Sequence, residues 1–200
     1  MHAYALVLFL HLLGLLTAAA AAALAFFAAL QLRAAATTAE IARWARLTKA
    51  VVPAFPVATL LLLGSGAYLT QVGWGWTTPW IDAGIAGLAL IVACGSGIEA
   101  SRGRALEQEV RTAGMTARAR ALQRDPLAWS AKVTTLTLTL GVVFLMVIKP
   151  ATLGSTLTLI VALVAGPLAA VPFWRSHDRV EQPVAERPLA ASAPAPRTEG

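Results

Sequence analysis

Apolar residues run along this chain in long, nearly uncharged blocks, separated by segments in which Arg and Glu concentrate. A bilayer core of about 30 Å takes roughly 20 apolar residues in a helix. Five blocks reach or approach that length: 3–32, 51–69, 81–98, 128–148 and 153–174. None alternates with a period of two, and all outrun ordinary strands. Backbone groups in hydrocarbon must be paired within their own segment, so the blocks predict helices. The expected fold class is all-α, a polytopic transmembrane helical bundle of five spans over residues 1–175. From about Ser176 onward Pro, Ala and charge replace the apolar periodicity, which predicts a disordered cytoplasmic tail over 176–200.

Punctuation refines the blocks. The first has an Ala-rich middle, Ala18 to Ala23, that imitates a signal-peptide cleavage site. Met1-His2-Ala3-Tyr4 carries no Lys or Arg, however, and the apolar run far exceeds a signal core, so an uncleaved span is expected. Pro53 and Pro56 mark the entry to the second span, where a missing N–H is tolerated. Small residues along the third span, Ala83, Gly87 and Gly95, predict close helix packing. Lys149-Pro150 stops the fourth span, and Gly166-Pro167 predicts a kink in the fifth. Between spans, Thr38 to Lys49 has Ile41, Trp44 and Leu47 at helical spacing, which predicts a helix that extends span two or lies on the lipid surface. Ser101 to Arg124 puts Leu106, Val110, Ala113 and Ala117 on one stripe of a surface-lying or cytoplasmic helix.

Composition agrees with the blocks: 58% of residues are hydrophobic and 13% charged, against about 25% charged in soluble domains. The net charge of +6 sits between apolar runs, so it reads as membrane orientation and not as nucleic-acid binding. Arg33, Arg43, Arg46 and Lys49 follow span one; Arg102 to Arg124 follow span three; Arg175, Arg179, Arg187 and Arg197 follow span five. The opposite side has Lys149. Positive-inside then predicts an amino terminus outside and a carboxyl tail in the cytoplasm. Trp74, Trp76 and Trp80 fall at the outer surface, with Trp44, Trp129 and Trp174 at the cytoplasmic one, where indoles favour the interface. The basic residues are nearly all Arg and Ala is abundant, a usage associated with GC-rich bacterial genomes. A bacterial inner membrane is the expected location. Cys94 is alone, so no intrachain disulfide can form.

Several local patterns coincide with the span ends. His11-Leu12-Leu13-Gly14 opens span one and Leu63-Gly64-Ser65-Gly66-Ala67-Tyr68-Leu69 closes span two. Pro79-Trp80-Ile81 starts span three and Phe144-Leu145-Met146-Val147-Ile148-Lys149-Pro150 ends span four. In this order the chain, over residues 4 to 150, resembles a bacterial family of predicted integral membrane proteins with a domain of unknown function. It is more distantly similar to the membrane part of CopD copper-resistance proteins, through the His-containing first helix. The resemblance implies a membrane location and supplies no activity.

Candidate chemistry is sparse. His11 lies inside span one, where an ionisable group is a functional candidate by default. Asp82 begins span three and Lys149 ends span four, both on the outer side, so His11, Asp82 and Lys149 form a candidate outer polar cluster, with Asp82 and Lys149 expected to interact. A capping role for Asp82 and a lone, lipid-directed Lys149 is the alternative. His2 and His177 cannot join His11 around one haem, whereas His11 with Met146 is a conceivable haem or copper pair. Neither HExxH nor CxxC occurs, and no catalytic set, metal site or cofactor is expected. Glu99 is expected to meet Arg102 or Arg104. The threonines of span four and of the start of span five are expected to bond the carbonyl a turn back. The functional expectation is a structural or accessory membrane component and not an enzyme. Its alternatives are a small-solute or ion transporter or channel subunit, and a haem- or copper-handling protein. The partners expected are the lipid bilayer and either further copies of the chain or a membrane partner protein, with no nucleic acid.

Overall fold

A computed structural model of the chain describes residues 2–178. Helices α1 (His2–Ala34), α2 (Thr38–Val51), α3 (Ala54–Leu69), α4 (Pro79–Val92), α5 (Ala100–Ala113), α6 (Ala117–Gln123), α7 (Pro126–Ile148) and α8 (Thr152–Asp178) follow one another, with no strand among the described residues. Five continuous stretches are long and apolar enough to cross a membrane: His2–Ala34, Thr38–Trp74, Pro79–Ala113, Ala117–Ile148 and Thr152–Trp174. The tail expected over 176–200 lies, from residue 179 on, outside the described residues.

Each boundary has a local cause. Between α2 and α3 the backbone stays near helical angles, but Pro53 and Pro56 donate no hydrogen bond, and the ladder breaks for two residues at Val52 and Pro53. The segment Thr38 to Lys49 therefore extends span two. It starts on a capping box in which Thr37 and Glu40 satisfy each other's backbone N–H groups. Pro79 takes the first position of α4. Lys149 ends α7 in the left-handed conformation (φ 53°), its N–H donating to Leu145 O at 2.9 Å, and Pro150 bars continuation. Gly114, at φ 76°, divides the stretch 101–124, so the single stripe through Ala117 does not form; Ala117 opens α6 instead. α5 continues span three directly, making 35 residues of helix, or about 50 Å, against a core of about 30 Å. α8 runs unbroken through Pro167 and Pro172.

Two stretches wind more widely, with hydrogen bonds reaching five residues back. Thr70–Trp74 extends α3 and closes with Gly75 N–H on Thr70 O at 2.8 Å. Ala93–Glu99, built from Ala, Cys, Gly and Ser before Ile98, joins α4 to α5. One extra residue in a turn rotates the helix beyond it by about 100°, and here it re-aims Glu99.

Packing centres on α7, which lies along α8 and α4, while α1 lies along α3 and against α2. Small residues set the contacts. A Cβ on Gly87 would stand 2.6 Å from Val142 Cγ2 and 3.1 Å from Leu159 Cδ2. Gly141 faces Ala162, and Gly166 abuts Thr134. Gly14 rests on Ala58, Leu61 and Leu62 of α3. The close approach expected along the third span holds at Gly87 and not at Gly95, which faces open space.

The basic segments after spans one and three lie together at one end, where α8 reaches them through Phe173. Arg33 Nη2 donates to Phe173 O at 2.7 Å, and its guanidinium lies 5.1 Å from the Trp129 ring centre. Trp129 and Phe173 stack at 4.7 Å, and Phe26 meets Trp129 edge-on. Gln123 Nε2 donates to Leu32 O (2.8 Å) and Ala35 O (3.1 Å), satisfying carbonyls left open at the end of α1. Lys49 pairs with Glu107, and Arg102 with Asp125 at 3.2 Å.

Candidate functional site

The end opposite those basic segments carries the three residues singled out by the sequence, and each turns a different way. His11 faces α3. Ser65 Oγ stands 3.0 Å from His11 Nδ1 and also reaches Leu61 O, so a hydrogen bond joins the ring to the hydroxyl, with its direction set by the ring tautomer. Ser65 is buried, and a Cβ on its neighbour Gly66 would lie 3.4 Å from His11 Cε1. The sequence patterns around His11 and around Ser65 are thus the two sides of one helix–helix contact. Met146 sits on α7, whose main neighbours are α4 and α8.

Lys149 lies over aromatic rings. Its Nζ is 4.0 Å from the Trp74 ring centre and 5.9 Å from that of Trp80, and the two indoles meet edge-on at 5.5 Å. A cation over an indole face is held by the ring quadrupole. The expected Asp82–Lys149 ion pair does not form. Positions two apart on a helix point about 200° from each other, so the side of α4 that brings Trp80 to Lys149 turns Asp82 away.

Asp82 instead borders an open groove of about 670 Å³ between α4 and α8. Thr152, Ser155 and Thr156 line it from α8, and Ala83 and Ala86 from α4, with Leu159 and Ile160 further along. Ser155 donates to Pro150 O at 3.0 Å and Thr156 to Thr152 O at 3.0 Å. The Asp82 carboxylate receives no hydrogen bond or ion pair among the described residues and does not cap α4.

A second polar cluster ties span three to span four nearer the basic end. Glu99 meets Lys132 at 2.5 Å and accepts from Thr135 Oγ1 at 3.0 Å. This replaces the expected pairing with Arg102 or Arg104: Arg102 reaches Asp125, while the widened turn before Glu99 aims its carboxylate at α7. Lys132 is the residue that a reading by blocks and loops passes over. Its signal was a lone charge about one turn into an apolar run. The threonines bond back as expected at Thr139, which donates to Thr135 O (2.8 Å), while Thr135 divides its one hydroxyl proton between Ala131 O and Glu99, each at 3.0 Å. Thr137 also crosses helices, donating to Ala162 O at 2.7 Å.

No group of three or more His, Cys, Asp or Glu side chains able to hold a metal ion occurs among the described residues. Comparison with protein-family models, with curated proteins and with solved structures finds no match to this chain.

Proposed function

We propose that the chain is a multi-pass component of a bacterial cytoplasmic (inner) membrane, with its amino terminus outside and its tail in the cytoplasm, serving a structural or accessory role without catalysis. The location is supported by five helices of spanning length and apolar composition. The orientation is supported by the two basic segments after spans one and three lying at one end, which positive-inside assigns to the cytoplasm. The observation that carries the role is where the intramembrane polarity goes. His11 is spent on Ser65, Thr137 on Ala162 O, and Glu99 on Lys132 and Thr135. Each bond joins two helices of the bundle, so these groups set helix register instead of lining a path. Purified protein in proteoliposomes should pass protons, potassium and chloride no faster than protein-free vesicles. Flux above that background would overturn the structural reading in favour of a transporter or channel subunit.

A further inference from the structure

We propose that the groove between α4 and α8 is a phospholipid site that takes a primary-ammonium headgroup at Asp82, an inference that rests on the membrane reading above. The first observation is an inventory of carboxylates. Glu40 accepts backbone N–H groups, Glu99 pairs with Lys132, Glu107 with Lys49, Glu109 with Arg118 and Asp125 with Arg102. Among the described side chains Asp82 alone has no such partner. Lys149, the cation at the same end of the bundle, is held over Trp74 at the end of the stretch that extends α3.

Donor and acceptor bookkeeping then narrows the ligand. The hydroxyl protons of Ser155 and Thr156 point into their own backbone, at Pro150 O and Thr152 O. Both oxygens therefore keep only lone pairs to offer, beside the exposed Asp82 carboxylate, which accepts and never donates, and the Thr152 hydroxyl can turn to accept as well. Such a mouth suits a cation with several N–H donors. A primary ammonium has three, a quaternary ammonium none, and an anionic headgroup meets the wrong charge.

Shape and position select a lipid as the source of that cation. Beyond the polar mouth the walls become Ala83, Ala86, Leu159 and Ile160, and the groove ends where Gly87 closes on Leu159. Ile160 is half exposed on the bundle surface, so the groove opens sideways to where acyl chains lie. Trp80, two residues from Asp82, marks the headgroup level, where indoles gather.

The test is native mass spectrometry of the full-length chain released from detergent micelles holding equimolar phosphatidylethanolamine, phosphatidylcholine and phosphatidylglycerol. Wild type should retain phosphatidylethanolamine about tenfold over phosphatidylcholine, the factor expected of one charge-assisted hydrogen bond. Asp82→Asn should abolish that preference, and Ala86→Trp, which fills the groove, should reduce retention of both zwitterionic lipids. Equal retention of these two by wild type overturns the proposal. So does a preference that survives Asp82→Asn, or retention of phosphatidylglycerol that depends on Asp82. Carbonate extraction of cell membranes reads the membrane assignment separately, since failure there puts the chain in the soluble fraction whatever lipid Asp82 prefers.

Discussion

Lys149 holds a left-handed backbone (φ 53°) at the end of α7 while its ammonium rests on Trp74. The two features oppose each other. A non-glycine residue in that conformation costs about 1 kcal/mol, and a cation over an indole returns about 0.5–1 kcal/mol. Lys149→Gly removes both and should leave the thermal midpoint in detergent close to wild type. Lys149→Ala keeps the strain and loses the cation, so it should be less stable than the glycine variant by about 1 kcal/mol. A lower midpoint for glycine than for alanine would contradict this balance. Gly87 offers a similar contrast in packing. Leucine there must displace Val142 and Leu159 of the neighbouring helices, an overpacking that costs about 1–3 kcal/mol. Gly84→Leu points into open space, and Leu90→Ala trims a partly exposed side chain. Gly87→Leu should therefore lower the midpoint well below either of the other two, and equal effects would remove Gly87 from the interface.

Elements are joined by pairs of opposite character, and the Glu99–Lys132 pair is the most shielded of them. Its side chains are 19% and 22% exposed, so removing one partner leaves the other charge largely dry. Glu99→Gln or Lys132→Met alone should cost about 1–3 kcal/mol, and the double substitution less than the two losses summed. Strict additivity would mean the pair contributes nothing. This pair also marks where sequence stops being legible. Helix identity could be read from block length, and helix ends from Pro53, Pro79 and Lys149-Pro150, because those signals act on the residue that carries them. The partner of Glu99 depends on a widened turn at Ala93–Glu99 and on how α7 lies against it, which no periodicity records. Asp82 and Lys149 failed to pair for the same reason: the facing of α4 follows from how it packs on α7 and α8, which turns Trp80 and not Asp82 toward Lys149.

For the whole molecule, orientation is the property that ties charge to location. In a Cys94→Ala background, cysteine at Thr77 should react with an impermeant maleimide added to intact cells, and cysteine at Ala113 only after permeabilisation. A reporter fused to the tail should work only if it is a cytoplasmic one. Labelling of Ala113 from outside would invert or abolish the proposed topology. The bundle itself divides into α1 with α3, and α7 with α4 and α8, the two groups bridged at their ends by Arg33, Trp129 and Phe173 and by Trp74, Trp80 and Lys149.

That division sets an order of assembly. The His11–Ser65 contact lies wholly within the first two spans, so it can close as soon as they leave the ribosome. Glu99 must wait for a lysine 33 residues further along the chain. At about 5–20 residues per second the carboxylate stands alone for roughly 2–7 s. During that interval Glu99 lacks the partner that the folded bundle gives it, and an unpaired carboxylate favours water. Translation speed across residues 99–132 thus becomes a determinant of yield, and slowing it should expose the nascent third span to quality control.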